Sequence, residues 1–193
     1  MCYFDGHVRE LGTISEDKID RLRSKIERNP KLWDAEDSKK PNKFTAFRNT
    51  VEHIVFRFPL SLDSHLQYRD FAHWEEWKDV IEPIMQEATR YYGYENGKTT
   101  RIMLAKLLAG QTIEKHIDGQ ESARLPHKIH VPIVTSSGVE FWEEDAVYHF
   151  DVSRAYEVNN RILHGGTNKS TIDRIHLIFD YWNNVNPPSA QEP

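Results

Sequence analysis

The chain has 193 residues, of which 38% are hydrophobic, and a formal net charge of -5 at pH 7. This length and composition predict one globular domain and exclude a disordered chain. The weak acidity provides no basic surface for nucleic acid or an anionic membrane, and no apolar run is long enough to predict a membrane span. The single cysteine, Cys2, excludes a disulfide framework and favours a reducing, cytoplasmic location.

The first predicted element is a helix over residues 13–29. Its apolar residues recur at helical spacing, acidic residues fill its first turn, and a hydroxyl side chain, Thr13 or Ser15, can cap its start. Pro30 follows its predicted end. The polar residues 31–43 that come next are predicted to form a loop.

A strand and a second helix are predicted in the rest of the first half. β-Branched and aromatic residues indicate a strand over residues 51–58, and helical spacing returns in residues 71–92. Pro83 is expected to kink this helix or to begin another one. One face of the helix carries the apolar residues Trp74, Trp77, Ile81, Ile84, Ala88 and Tyr91.

The second half of the chain is rich in short β-strand patterns separated by turns that contain glycine. The predicted strands are residues 101–109, 112–117, 127–134, 138–142, 146–151, 155–160 and 174–182. A turn-rich link is predicted from Gly165 to Asp173. So many short strands predict a mainly β, jelly-roll-like core with the N-terminal helices packed against one sheet. The alternative is a β-sandwich without a buried site.

A His-x-Asp motif, His116-Ile117-Asp118, lies at the end of the second of these strands. Residues i and i+2 of a strand point to the same face, so the imidazole and the carboxylate can bind one ion from one side. Two histidines and one carboxylate on one face of an octahedron are typical of non-haem iron(II) oxygenases, which keep the other positions open. The motif alone is a weak signal because it recurs as His149-Phe150-Asp151.

A third ligand and a cation follow the first copy of the motif. His164 comes 48 residues after His116, and Arg174 comes ten residues after His164. Neighbouring antiparallel strands could bring His164 and Arg174 together, and a planar guanidinium suits a bidentate salt bridge to a carboxylate. His149 lies only 15 residues before His164, and Asp151 enters a predicted turn, so the second copy is the weaker candidate.

Residues 104–182 resemble the aspartyl/asparaginyl β-hydroxylase family of 2-oxoglutarate oxygenases, which also includes bacterial hydroxylases of free proline. The matching segments, in chain order, are Ala105-Lys106-Leu107-Leu108-Ala109-Gly110-Gln111-Thr112-Ile113, His116-Ile117-Asp118, Lys128-Ile129-His130-Val131-Pro132-Ile133, Tyr156-Glu157-Val158-Asn159-Asn160, His164 and Arg174-Ile175-His176-Leu177. Each segment is weak alone, but their order and spacing together are specific.

The resemblance implies a double-stranded β-helix fold and an enzyme that uses Fe(II), 2-oxoglutarate and O2, with ascorbate as reductant. It implies that His116, Asp118 and His164 bind the metal and that Arg174 is the main anchor of 2-oxoglutarate. The presence of Asp118 makes the chain similar to the free-amino-acid hydroxylases, since some animal members lack the acidic ligand. It also argues against a halogenase, in which a small residue leaves room for a halide.

A second part of the family pattern concerns Lys128 and His130, which share a strand face. In this family the corresponding block also reaches the cosubstrate, so the resemblance implies that both residues contact 2-oxoglutarate. Many members have arginine where this chain has Lys128.

The substrate pocket is expected to be built from the first half of the chain and the loop after Asp118. Arg48, Arg57 and Arg124 are the candidates for binding a substrate carboxylate. The short chain favours a small molecule or an amino acid as substrate. An aspartyl or asparaginyl side chain of a protein stays open, and so does a homo-oligomer.

The predicted layout is a single oxygenase domain over residues 1–193. Residues 1–98 form a mixed helical and strand region for support and substrate binding, residues 99–183 form the β-helix core, and residues 184–193 form a tail. Two alternatives remain: a catalytically silent jelly-roll module that binds a metal or a ligand, and a cupin-type metalloenzyme with a different cosubstrate.

Overall fold

The computed structural model describes residues 5–33 and 50–184. The strands, in chain order, are β1 Val8–Thr13, β2 Val51–Ser61, β3 Ser64–Asp70, β4 Gly97–Leu107, β5 Thr112–His116, β6 His127–Val134, β7 Val139–Glu143, β8 Ala146–Tyr148, β9 Arg154–Val158, β10 His164–Asn168 and β11 Arg174–Asn183. The helices are α1 Glu16–Glu27, α2 Trp74–Thr89 and the short α3 Glu121–Arg124, and a 3-10 turn, Arg90–Tyr92, follows α2. Arg48, most of the predicted loop 31–43 and nearly all of the predicted tail lie outside the described residues.

The strands form two antiparallel sheets with a cavity between them. The larger sheet has the strand order β1-β9-β6-β11-β4-β2-β3, and the smaller sheet has the order β5-β10-β7-β8. From β4 to β11 the chain passes repeatedly from one sheet to the other, so four strands of each sheet wind into one core. This winding is the double-stranded β-helix, and the predicted fold class is confirmed.

Helices α1 and α2 pack against the outer face of the larger sheet. Alternation along β11 sends Ile175, Leu177 and Phe179 to this apolar layer, whereas Arg174 and His176 face the smaller sheet. The helical residues buried in the layer include Ile19, Leu22, Ile26, Trp74, Trp77, Ile81, Ile84 and Ala88. Among the described residues, no helix is long and apolar enough to cross a membrane.

Glu87 of α2 ties the two helices together. The backbone nitrogen and the hydroxyl of Ser15 donate to its carboxylate at 2.8 and 2.7 Å, and Lys18 Nζ lies 2.7 Å from it. The predicted side-chain cap of α1 is therefore absent, because the Ser15 hydroxyl bonds to Glu87 and not to the helix. Burial acts to raise the pKa of Glu87, but the hydrogen bonds from Lys18 and Ser15 outweigh it and lower the pKa to about 2.

We expect Glu87→Gln to lower the free energy of unfolding by about 1–3 kcal/mol near pH 7, because charge-assisted hydrogen bonds are lost. The folded pKa lies below the ordinary value of 4.5. The stabilisation is therefore present above that value and is lost as the pH falls towards 2. Urea unfolding at pH 7 and pH 3 measures the difference. Glu75→Gln, which breaks an exposed pair with Lys78, is the control; an equal loss in both variants would contradict the role of Glu87.

The first half departs from the predicted elements in three places. Strands β1 and β3 form where no strand was predicted, and they are the two edge strands of the larger sheet. Pro83 lies inside α2 without ending it, since one missing N–H leaves the rest of the helix bonded. Tyr91 was expected on the buried face but is 52% exposed, because α2 ends at Thr89 and the chain continues as a 3-10 turn.

The second half departs from prediction chiefly at β10. A turn-rich link was predicted to start at Gly165, but His164–Asn168 is a strand between β5 and β7. A Cβ on Gly165 would lie 2.7 Å from the carbonyl oxygen of Ile113, and one on Gly166 would lie 2.7 Å from that of Glu140. Both neighbouring backbones thus approach too closely for a side chain. The two glycines, which resemble a turn signal in sequence, are required by sheet packing.

Candidate metal centre and active-site cavity

The three predicted metal ligands meet at one end of the smaller sheet. His116 ends β5 and His164 begins β10, and the two residues are paired across the strands. Asp118 follows two residues after His116, with its Oδ1 3.9 Å from the Nε2 of His116. One ligand atom of each residue lies within 4.8 Å of the other two. Among residues 5–33 and 50–184, this is the one group of three or more potential ligands with such spacing.

Both imidazoles are oriented by backbone carbonyls. His116 Nδ1 lies 2.8 Å from the carbonyl oxygen of Glu114, and His164 Nδ1 lies 3.0 Å from that of Ile162. When Nδ1 carries the proton and donates to a carbonyl, Nε2 keeps its lone pair for a metal. Burial lowers the pKa of His164, which favours the neutral ring that a metal requires.

Asp118 is held by the loop that precedes β10. The Asn160 side chain donates to Asp118 Oδ2 at 2.9 Å, and the Asp118 backbone nitrogen donates to the Asn160 carbonyl at 3.0 Å. Burial acts to raise the pKa of Asp118, but Lys128 and His164 lower it to about 2. The carboxylate is therefore ionised and fixed in place before a metal arrives.

The second His-x-Asp motif forms no comparable centre. His149 Nδ1 bonds to the carbonyl of Val139, and its Nε2 lies 3.8 Å from Asp151. The side chains of both residues are exposed, and no third ligand joins them in the described part of the chain. The structure therefore favours the first copy of the motif.

We expect Gly165→Ala to weaken metal binding at this centre. The added methyl group would collide with the β5 backbone, so the chain must shift where His164 pairs with His116. Such crowding costs about 1–3 kcal/mol in stability. Calorimetry with Zn(II) should show lower affinity than in the wild type. Gly119→Ala, where a Cβ meets nothing within 4 Å, is the control; equal zinc affinities in all three proteins would contradict the packing argument.

A cavity of about 130 Å³ separates the two sheets and opens onto the three ligands. Its walls are mostly apolar, with residues such as Val51, Met103, Leu107 and Phe141. The polar side chains that line it are His53, Arg101, His116, Asp118, Gln120, Lys128, His130, Glu140, Asn160, His164, Arg174 and His176. A small polar molecule can therefore reach the metal centre within an apolar enclosure.

Arg174 lies at the start of β11, where it lines the cavity and is only 6% exposed. One of its terminal nitrogens lies 3.0 Å from His176 Nδ1, which in turn lies 3.4 Å from His130 Nδ1. Burial lowers the pKa of Arg174 to about 10 and those of both histidines well below their usual value. Among the described residues, no carboxylate forms an ion pair with Arg174, and its Nε has no hydrogen-bond partner.

Strands β10 and β11 belong to different sheets, so the prediction that neighbouring strands would join His164 and Arg174 is wrong. The two residues come to one cavity because the sheets face each other. Sequence spacing could not distinguish these two arrangements.

Lys128 lies on the metal side of the cavity, where it pairs with a buried carboxylate. Its Nζ lies 2.7 Å from Asp180 and 3.8 Å from Asp118. Asp180 also pairs with Arg101 at 2.8 Å, and all three members of this network are buried. Arg101 and Asp180 were not predicted. The signal available in the sequence was that each is a charged residue at an inward-facing position of an otherwise apolar strand.

Two of the three predicted substrate arginines, Arg57 and Arg124, do not line the cavity. Arg57 forms a bidentate pair with Asp70, at 2.6 and 3.0 Å, on the hairpin of β2 and β3. Arg124 ends α3 and is half-buried outside the cavity lining. Arg48 lies outside the described residues.

Comparison with solved structures shows the same fold in 2OG-Fe(II) oxygenases. A viral collagen prolyl hydroxylase from Paramecium Bursaria Chlorella virus-1, solved as a 2OG complex, has a TM-score of 0.56 at 12% identity, covering 93% of this chain and 97% of its own. A 2OG-Fe(II) oxygenase family protein from Burkholderia pseudomallei has a TM-score of 0.53 at 12% identity, covering 94% and 92%. A Pseudomonas putida prolyl-4-hydroxylase has a TM-score of 0.52 at 8% identity, covering 93% and 94%.

Sequence comparison identifies the family. The model described as Aspartyl/Asparaginyl beta-hydroxylase matches residues 84–184, which is more than half of the chain. The chain therefore belongs to the aspartyl/asparaginyl β-hydroxylase family of enzymes, and the family predicted from the motifs is confirmed. Comparison with curated protein sequences gives no significant match.

Proposed function

We propose that the chain is an Fe(II)- and 2-oxoglutarate-dependent dioxygenase. It hydroxylates an unactivated carbon of an amino acid, an amino-acid-like small molecule or an aspartyl/asparaginyl-type side chain, and it releases succinate and CO2. The observation that carries this proposal is the buried Arg174, without a carboxylate partner among the described residues, in the same cavity as His116, Asp118 and His164.

The donor set fits iron. Two neutral imidazoles and one ionised carboxylate match the ligands of non-haem Fe(II), and three ligands leave coordination positions for a cosubstrate and O2. We assign His116, Asp118 and His164 as the ligands, with Asn160 and the two backbone carbonyls orienting them. When bound, iron and 2-oxoglutarate supply the oxidising power needed to hydroxylate a C–H bond.

The cavity also fits a dicarboxylate. A buried guanidinium without an anion is costly, and a carboxylate at Arg174 would supply the missing charge and accept its free N–H groups. His176 accepts a hydrogen bond from Arg174 through an unprotonated Nδ1, which fixes the plane of the guanidinium. We assign Arg174 to the distal carboxylate of 2-oxoglutarate, and we retain His130 and Lys128 as predicted contacts.

The whole chain acts in this proposal as one oxygenase domain, with cytoplasmic location suggested by the single cysteine. Substrate enters beside the loop after Asp118, since Gly119 and Gln120 line the cavity.

Anaerobic titration with Fe(II) and 2-oxoglutarate tests the proposal directly. A weak visible charge-transfer band is expected only when both are present, and succinate should form slowly when air is admitted with ascorbate. A silent binding module would give neither result. A cupin-type enzyme with another cosubstrate would bind Fe(II) without any response to 2-oxoglutarate. A screen for products that gain one oxygen then identifies the substrate.

A further inference from the structure

A second buried arginine in the cavity has an unused binding edge. Arg101 lies on β4, is 5% exposed and lines the cavity. Its Nη1 lies 2.8 Å from Asp180, whereas its Nε and Nη2 have no hydrogen-bond partner among the described residues. The Nε and Nη2 atoms form one side of the planar guanidinium fork, the geometry that matches the two oxygens of a carboxylate.

Arg101 lies far from the arginine assigned to 2-oxoglutarate. It pairs across the sheet with Asp180, and Arg174 lies six residues earlier on β11. At roughly 3.3 Å per residue, the two positions are about 20 Å apart along the strand. Lys128 bridges from Asp180 to the metal ligand Asp118, so Arg101 lies at the metal end of the cavity.

The charges of the cavity favour an anion at this end. Arg101 and Lys128 are balanced by Asp118 and Asp180, and Fe(II) would be balanced by the two carboxylates of 2-oxoglutarate. Glu140, which also lines the cavity, pairs with Lys169. Arg174 then leaves one excess positive charge among the described residues that line or close the cavity. Buried charge without compensation is unfavourable, and a substrate with one negative charge would remove the excess.

We propose that the substrate carries a carboxylate and that the Nε–Nη2 edge of Arg101 binds it. This inference rests on the proposed function and names the substrate class and the residue that selects it. The Phe58 ring, whose centroid lies 4.9 Å from the guanidinium carbon, holds the plane of the fork.

Binding to redox-inactive protein tests the assignment without turnover. Zn(II)-loaded protein with saturating 2-oxoglutarate is titrated with acetate, propionate and the twenty common L-amino acids, and with the matching amides. Calorimetry gives affinities, and NMR follows the arginine Nε–H signals. We expect at least one carboxylate to bind about 10-fold or more tightly than its amide and to shift the Arg101 signal.

Two variants separate binding from folding. Arg101→Gln should lower the affinity for the carboxylate that binds the wild type by at least about 10-fold, and it should change the affinity for 2-oxoglutarate by less than about twofold. Arg101→Lys keeps a cation beside Asp180 but loses the planar fork, so it tests the assignment if the glutamine variant does not fold. It too should weaken binding of the carboxylate. Arg154→Gln, which alters an arginine paired with Glu10 outside the cavity, is the matched control.

The outcomes distinguish this inference from the function on which it rests. The inference is overturned if 2-oxoglutarate binds but no carboxylate of the panel does, or if a carboxylate binds equally well to both Arg101 variants. Failure of 2-oxoglutarate to bind the wild-type protein would overturn the proposed function itself. Loss of carboxylate binding in the Arg101 variants, with 2-oxoglutarate binding retained, supports both.

Discussion

His116→Ala is expected to reduce succinate formation by at least about 100-fold. Loss of a residue that only orients a ligand costs about 10–100-fold in metal affinity or activity, and His116 is assigned as a ligand itself. Its Nε2 and the oxygens of Asp118 face one point, so alanine leaves the ion with one imidazole and one carboxylate. The fold should persist, because the imidazole of His116 lies at the end of β5 and not in the apolar layer.

The second His-x-Asp motif provides a matched control for this experiment. His149→Ala removes the histidine of the same three-residue pattern from a partly exposed position. We expect wild-type rates of succinate formation for His149→Ala and an absent charge-transfer band for His116→Ala. Thermal unfolding without metal checks that both variants are folded. Full turnover in His116→Ala would show that the ligand assignment is wrong.

Arg174→Met is expected to raise the dissociation constant of 2-oxoglutarate by about 100-fold or more. Removal of one partner from a buried charge pair costs about 2–5 kcal/mol, and Arg174 is the assigned partner of the distal carboxylate. The same change should stabilise the protein in the absence of 2-oxoglutarate. Burial of an uncompensated guanidinium is unfavourable, as its lowered pKa also indicates, and the methionine side chain is apolar.

Thermal unfolding measures both effects of Arg174→Met. Saturating 2-oxoglutarate with Zn(II) should raise the melting temperature of the wild type, since a ligand that binds only the folded state stabilises it. The variant should start from a higher melting temperature and show a much smaller shift with 2-oxoglutarate. Arg154→Gln should behave like the wild type. A variant that is less stable without ligand, yet responds to 2-oxoglutarate as strongly as the wild type, would place the distal carboxylate elsewhere.

Local chemistry made the candidate metal ligands recognisable in the sequence. In a strand, residues two apart share a face, so His116 and Asp118 were recognisable as a pair without a structure. The spacing to His164 and Arg174 then distinguished this copy of the motif from the one at His149. The resemblance of the surrounding segments to known sequences indicated the family. The many short β-rich runs of the second half, separated by turns, likewise predicted the jelly-roll core.

The substrate side was not predictable in the same way. Arg57 and Arg101 are both arginines in β-strands, and nothing nearby in the chain separates them. Their partners come from other strands: Asp70 of β3 occupies the guanidinium fork of Arg57, whereas Asp180 of β11 uses one nitrogen of Arg101. Which arginine keeps free N–H groups in the cavity depends on strand register.

The sequence by itself determined the strand-rich core and the candidate ligands, because these follow from periodicity and from spacing along the chain, and its resemblance to known sequences indicated the family. Only the tertiary structure decided that Gly165 lies in a strand, that β10 and β11 lie in opposite sheets, and that Lys128 turns to Asp180. The physical reason is that the interacting residues are far apart along the chain. Close backbone approach, burial and ion pairing depend on residues that are remote in sequence, and no local pattern records which of them will meet.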